Sequence, residues 1–217
     1  MKYYSQANQD KWVCTVLNNK TNGYFIDLGA HDGIGCSNTY ILEKNYNWNG
    51  VCVEAKKESY NSLVRHRTCK CIHGAVSNKN GICKFSDSKE KIDSDGTEVP
   101  EYTLDTILTL VNSPKEIDYL SIDIEGHELA VFEAFNFSNW DIKLMTVEHN
   151  LYLNGPDMKY KLFNILSNNG FVRVVNDAIC LDKHPSVYGK PFEDWYVSSN
   201  HISSLEKYIN TWNSEGL

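Results

Sequence analysis

Residues 23–37 read Gly23-Tyr24-Phe25-Ile26-Asp27-Leu28-Gly29-Ala30-His31-Asp32-Gly33-Ile34-Gly35-Cys36-Ser37. Phe25, Ile26 and Leu28 form a short apolar run of the kind that makes a buried strand, and the run stops at Gly29. Two more glycines, Gly33 and Gly35, follow, and Tyr40, Ile41 and Leu42 then begin a helical pattern. The unit is strand, glycine turn, helix. In that geometry a nucleotide lies against exposed backbone and a helix N-terminus, where a Cβ would block its approach.

Working outward, Val51-Cys52-Val53-Glu54 is a second apolar run, and Glu54 closes it 21 residues after Gly33. That is about the separation at which a carboxylate at the tip of the second strand grips ribose hydroxyls. The pair points to a nucleoside. A dinucleotide fits less well, because the glycines are spaced G-x-x-x-G-x-G, no G-K-[ST] follows, and Asp27 and Asp32 would repel a pyrophosphate. A cationic nucleoside, S-adenosylmethionine (SAM), suits an acidic turn better. The plain alternative is an ordinary strand-to-helix turn of an α/β protein.

The 217 residues suffice for one α/β domain with a sizeable core. We expect a single unit over 1–217, with an N-terminal helical cap over 1–22 and a surface excursion over 77–101. The net charge of −7 argues against extended contact with a phosphate backbone, so nucleic acid is not expected as a partner. Most of the seven cysteines sit in apolar, strand-like runs, and Cys69-x-Cys71 lacks the spacing of a zinc site; they read as small buried hydrophobes. Met1 to Asp10 is polar, and no apolar run approaches the roughly 18 residues of a membrane helix. The expectation is a soluble cytoplasmic protein with no membrane partner.

Trp12, Val13, Val16 and Leu17 predict a helix within residues 4–18, capped by Ser5 or Asn8, whose polar start could face the ligand. Residues 56–66 predict another helix. Cys69 to Val76 predicts a third strand, ending in a small-residue turn fit to lie beside an adenine. Residues 77–101 are polar with charges of alternating sign, which predicts a solvated hairpin or excursion. Thr103 caps a helix to Leu110.

The second informative block is Ile117-Asp118-Tyr119-Leu120-Ser121-Ile122-Asp123-Ile124-Glu125-Gly126-His127-Glu128. Carboxylates at the end of a buried strand are costly unless a ligand, proton or metal uses them, and Asp123 stands out. Helix capping accounts for Glu125 and Glu128. Leu144, Met145 and Val147 make a further strand ending in Glu148-His149. In a doubly wound, mostly parallel sheet, Asp123, Glu148 and His149 are expected to converge at one carboxyl edge beside the glycine turn. Beyond it come a helix over 156–169, a hairpin of Phe171–Val175 and Ala178–Leu181 around Asn176-Asp177, a strand at Trp195–Val197 and a closing helix over 201–212.

The ordered set Ser5-Gln6, Gln9-Asp10, Phe25-Ile26-Asp27-Leu28-Gly29-Ala30-His31-Asp32-Gly33, Val53-Glu54, Gly74-Ala75-Val76, Leu104-Asp105, Asp123-x-Glu125-Gly126-x-Glu128 and Glu148 resembles the FkbM-type SAM-dependent methyltransferases. The likeness runs over roughly the first 150 residues. It implies a Rossmann-like class I fold with an antiparallel C-terminal hairpin, and O-methylation of a hydroxyl on a sugar, a glycan or a related small molecule. It also implies that the turn at Gly29–Gly33 cradles the methionine part of SAM and that Glu54 holds the ribose. The candidate cofactor contacts are then Gln9, Asp10, Asp27, Gly29, Ala30, His31, Asp32, Gly33, Ser37, Glu54, Ala75 and Val76. For catalysis the candidates are Asp123 or His149 as base, with Glu148 beside them; alternatively Asp123 and Glu148 hold a magnesium or other divalent ion. A nicotinamide-dependent oxidoreductase and a non-catalytic module of the same fold are the rival readings. The composition is compatible with a viral or bacterial glycan-modifying enzyme.

Overall fold

The computed structural model describes residues 2–215; Met1, Gly216 and Leu217, at the ends of the expected unit, lie outside the described residues. In chain order its first half runs α1 (Gln9–Val16), β1 (Tyr24–Leu28), α2 (Tyr40–Tyr46), β2 (Asn49–Glu54), α3 (Lys57–His66), β3 (Lys70–His73), β4 (Ala75–Val76), β5 (Gly81–Ser86), β6 (Lys91–Ile92) and β7 (Thr97–Tyr102). The second half runs α4 (Leu104–Leu110), β8 (Glu116–Ile122), α5 (Glu128–Ala134), β9 (Asp141–Glu148), α6 (Leu151–Asn154), α7 (Pro156–Asn168), β10 (Phe171–Ile179), β11 (Pro191–Ser198) and α8 (Ser199–Glu215).

Seven strands form one sheet in the order β10-β11-β9-β8-β1-β2-β3. Only β11 runs antiparallel to its neighbours. The chain steps outward from β1 to β3 and returns to β8 on the other flank of β1, so the switch point, where open α/β sheets bind ligands, lies between β1 and β8. This is the doubly wound architecture expected above, with β10 and β11 as its antiparallel C-terminal pair.

Period-two alternation sends successive side chains to opposite faces. Phe25, Cys52, Tyr119, Leu144 and Trp195 pack with Trp12, Ile41, Leu42 and Trp212, which come from α1, α2 and α8. Ile26, Val53, Leu120, Met145 and Tyr196 pack with Leu104, Ile107, Phe132 and Leu162, which come from α4, α5 and α7. Continuing the alternation to the strand tips puts Asp27, Asp123, Glu148 and Glu193 on the first face, and His149 and Asp194 on the second.

Three sequence expectations change here. Asn176 and Asp177 do not turn a hairpin; they lie inside β10, in a stretch of register shifts against β11, with Asp177 at φ +59° and its N–H donated to Asp194 Oδ1 at 2.8 Å. The turn chemistry serves a bulge pinned by that carboxylate. The single strand expected over Cys69–Val76 divides at Gly74 into β3, in the main sheet, and β4, outside it. Residues 77–101 are more than a solvated excursion: with β4 they build a second sheet, ordered β4-β7-β5-β6. Its inner side buries Phe85 and Val99 against Ala55 and Ala75.

Candidate functional site

A cavity of about 280 Å³ opens at the carboxyl ends of β1, β2 and β8. Its base is the glycine turn. Gly29 has φ +85°, and a Cβ there would lie 1.8 Å from the backbone oxygen of Asp123. Glycine is what lets the tip of β1 press against the tip of β8. Gly29 and Ala30 both donate their N–H to Val53 O at 3.0 Å, which joins the turn to β2 as well. Gly33 is also tightly held, but its added Cβ would meet Leu63 and Arg67 at 2.8 and 2.9 Å; it faces α3 packing and not the cavity.

Arg67 organises the back of the turn. It is buried, and donates Nε to Glu43 Oε2 at 2.7 Å and Nη2 to Thr39 Oγ1 at 2.9 Å; Thr39 in turn donates to Asp27 Oδ2 at 2.5 Å. Burial raises the Asp27 pKa and the nearby Arg67 charge lowers it, with the rise prevailing. Ser37 accepts from the N–H groups of Thr39 and Tyr40, and so caps the entry to α2. Asp27, Gly29, Ala30, His31 and Ser37 all line the cavity. Asp32 does not: its Oδ1 takes the N–H groups of Ile34 and Gly35 at 2.9 and 2.7 Å and holds its own turn.

Glu54 stands at the tip of β2, in the wall. Its Oε2 accepts the His31 N–H at 2.8 Å and its Oε1 the Lys56 N–H at 2.7 Å, which leaves both oxygens lone pairs to offer. Burial raises its pKa against the pull of those two donors. Ala55, Ala75, Val76, Phe85 and Ile92 supply an apolar wall, and Glu90 at the β5–β6 turn pairs with Lys56 at 2.7 Å. The second sheet is thus part of the site. Alternation within Cys83–Phe85, two apolar positions facing one way, was the available signal; the surrounding charges masked it.

Asp123, Glu125 and Glu148 each present a carboxylate oxygen, all within 4.8 Å of one another. Asp123 and Glu125 line the cavity, whereas Glu148 sits behind them, only 4 % exposed. Burial pushes Asp123 up to about 6, the charges of Glu128, Asp27 and Glu54 add to it, and contact with Glu148 opposes it. Burial, then the Asp123 charge, raises Glu148 well above the carboxylate range. Glu125 is solvent-exposed, and partial desolvation and then the Asp123 charge bring it up to about 7. Glu128 has a structural task, accepting the N–H groups of Ile124 and Gly126 at 2.9 and 3.2 Å and fixing the loop that carries the acids.

His149 does not join this group. It follows Glu148 by one position and so faces the other side of the sheet. There it is buried, with Nδ1 accepting the Leu151 N–H at 3.1 Å and Nε2 turned to Asp194 Oδ1 at 3.3 Å. Lys159 and Asp177 meet beside it at 2.5 Å, and Arg173 donates to Asp194 at 2.8 Å. It is not among the residues that line the cavity. Gln9 and Asp10 are also outside the cavity lining. Gln9 accepts the Ala7 N–H at 2.7 Å, and Asp10 accepts from Tyr4 N, Ser5 Oγ and Lys11 N, pinning the chain ahead of α1. Gln6 lines the cavity in their place. Glu193, which the sequence reading did not single out, pairs in register with Glu148 across β9 and β11.

The model of the methyltransferase FkbM domain matches residues 27–173. The chain belongs to the FkbM methyltransferase family. The matched span runs from Asp27 in the glycine-turn strand to the start of β10, and so includes Glu54, Asp123 and Glu148. No curated protein matches the sequence closely enough to count as a relative. Among solved structures, a putative O-methyltransferase from Klebsiella pneumoniae superposes with a TM-score of 0.57 at 7 % identity, covering 91 % of this chain and 83 % of that one. Cofactor-bound Rv0187 from MTB gives 0.57 at 9 % identity, with 91 % and 82 % covered. A putative RNA methyltransferase from Pyrococcus horikoshii gives 0.50 at 13 % identity, with 88 % and 82 % covered. At these identities the likeness is one of fold. No helix among the described residues is long and apolar enough to cross a membrane.

Proposed function

We propose that this FkbM domain transfers a methyl group from SAM to a hydroxyl of a sugar, a glycan or a related small molecule. The observation that carries the reading is that Glu54 and Asp123 line one cavity, together with the Gly29 turn and an apolar wall. Asp27, Glu54, Glu90, Asp123 and Glu125 all contribute to that lining, against Lys56 as its one lysine or arginine among the described residues. Such a pocket favours a cationic nucleoside over a phosphorylated one. Glu54 is placed to accept from a ribose diol, and Ala55, Ala75, Val76, Phe85 and Ile92 offer a surface for a flat base.

SAM supplies an electrophilic methyl group on a sulfonium. The chain's part is to hold the acceptor oxygen in line behind that carbon and to take its proton as the new bond forms. Asp123 is suited to the proton. It borders the cavity, and its pKa near 6 leaves it ionised at neutral pH yet more basic than an ordinary aspartate. The acid-lined mouth disfavours a polyanion, which speaks for a neutral acceptor over nucleic acid. Membership of a methyltransferase family favours methyl transfer over the hydride-transfer alternative.

Calorimetric titration with S-adenosylhomocysteine (SAH), the product of transfer, tests the cofactor reading: binding is expected, and Glu54→Ala should weaken it by about tenfold to a hundredfold through loss of a charge-assisted contact. No binding to the intact chain overturns the reading. Incubating the chain with SAM and a saccharide panel, read by mass gain of one methyl, tests the acceptor class.

A further inference from the structure

We propose that Asp123, Glu125 and Glu148, respectively half-buried, exposed and buried, form a divalent-cation site at the edge of the cavity, built for a hard ion such as Mg²⁺ or Mn²⁺. The inference deepens the methyl-transfer reading and rests on it only for what the ion does.

Three observations lead there. The three carboxylates bring oxygens within 4.8 Å of one another, close enough to share one ion. Glu148 is 96 % buried, being 4 % exposed, and its Oε2 has no hydrogen-bond partner; a buried, unpartnered carboxylate oxygen facing two other carboxylates is costly unless something positive meets it. Finally, among the described residues none of the three takes part in an ion pair, whereas several buried acids elsewhere do: Glu43 with Arg67, Asp118 with Lys20 and Lys143, Asp194 with Arg173. The contrast with the neighbouring His149-Asp177-Asp194 group is instructive. That group has comparable spacing, but the Lys159 ammonium already stands 2.5 Å from Asp177 and the Arg173 guanidinium 2.8 Å from Asp194, so its positive charge is built in. The Asp123 group has none of its own.

An all-oxygen donor set selects magnesium, manganese or calcium over softer metals. Since Asp123 and Glu125 border the cavity, an ion here would remain open to an incoming ligand on that side. The chemistry it would supply is orientation and acidification of an acceptor hydroxyl. The rival occupants are a proton shared by Asp123 and Glu148, and the cationic cofactor itself.

Mn²⁺ titration of the cofactor-free full chain at neutral pH, followed by loss of the free-ion electron paramagnetic resonance signal, decides among them. One bound ion per chain is expected, competed by Mg²⁺. Glu148→Gln and Asp123→Asn should each weaken uptake by about tenfold or more, and Glu133→Gln, exposed on α5, should leave it unchanged. Circular dichroism and SAH calorimetry on the same samples report folding and the cofactor site. An intact chain that binds SAH but takes up no Mn²⁺ at millimolar concentration overturns the ion site and leaves the methyl-transfer reading standing. Mn²⁺ uptake without SAH binding does the reverse. Uptake that persists in both variants overturns the assignment of ligands. Should neither variant fold, anomalous density in a Mn²⁺-soaked crystal of the intact chain decides, by its presence or absence between the three carboxylates.

Discussion

At the end of β9 two consecutive residues enter opposite kinds of chemistry. Glu148 joins Asp123 and Glu125 in a group with three acids and no base, whereas His149, one position on, joins Asp194 and Asp177 in a group supplied with Lys159 and Arg173. The second group is balanced within the fold by side-chain partners, and it also takes backbone donors: the Leu151 N–H to His149, and the Asp177 N–H to Asp194. It fixes the start of α6 and the bulge of β10. The first group is unbalanced and borders a cavity. Charge left uncompensated at a ligand site points to a charge that arrives with the ligand, while compensated charge points to architecture.

The largest expected effect separates the two groups by activity. Asp123→Asn removes the proton acceptor while keeping the shape, and should lower methyl transfer by roughly 10²- to 10⁴-fold with SAH affinity retained. Asp194→Asn should alter turnover only as far as it alters the folded fraction. Full turnover in Asp123→Asn, measured with radiolabelled SAM, would remove that residue from the reaction.

Stability should sort them the other way. Truncating Asp194 to Ala strands Arg173 and His149 without their carboxylate, and should cost roughly 3 kcal/mol in urea unfolding at unchanged m-value. Glu148→Gln removes an unpaired buried acid and should cost nothing, or stabilise the cofactor-free chain. Equal losses in the two variants would mean that the groups do not differ as described.

Much of this was legible in the sequence, and the failures have physical causes. Apolar runs ending in Gly29, Glu54, Asp123 and Glu148 marked strand tips, because a buried parallel strand is a continuous hydrophobic run and whatever follows it lies at the carboxyl edge. Which face each tip residue takes depends on counting by twos from the core. Treating Glu148 and His149 as one convergent pair ignored that period. Gln9 and Asp10 were misplaced for a different reason. Polar residues ahead of a helix face either ligand or backbone, and only tertiary context showed Asp10 holding Tyr4 and Ser5. In residues 77–101 the charge pattern described the outer side of a sheet whose inner side, with Phe85 and Ile92, walls the cavity. Asn176-Asp177 carried turn chemistry that β10 spends on a bulge.

The smallest expected effect is the pH dependence of stability, and it reads the same comparison without any substrate. In the folded chain Asp123 is raised to about 6 and Glu125 to about 7, by desolvation first, from ordinary values of 3.8 and 4.5. The folded state then holds protons that the unfolded state has released. The stability this contributes is complete below the unfolded values and is lost as pH rises through 6 to 7. Asp194 has the opposite sign: burial alone would raise it, but bonds from His149, the Asp177 N–H and Arg173 prevail and hold it below 3.8. Its contribution is therefore full above that value and is lost only as pH falls through the lowered one. Between about pH 5 and about pH 8 the first group, and not the second, should tilt the curve downward, lowering the melting temperature of the cofactor-free chain by a few degrees. Glu148→Gln should flatten that slope, because it removes a buried acid whose own pKa is raised well above the carboxylate range, and histidine titrations common to both proteins cancel in the difference. Saturating Mn²⁺ should reverse it, since a metal binds the deprotonated acids. If the variant keeps the wild-type slope, the proton uptake lies elsewhere, and the Asp123 group is no more poised for an incoming cation than its balanced neighbour.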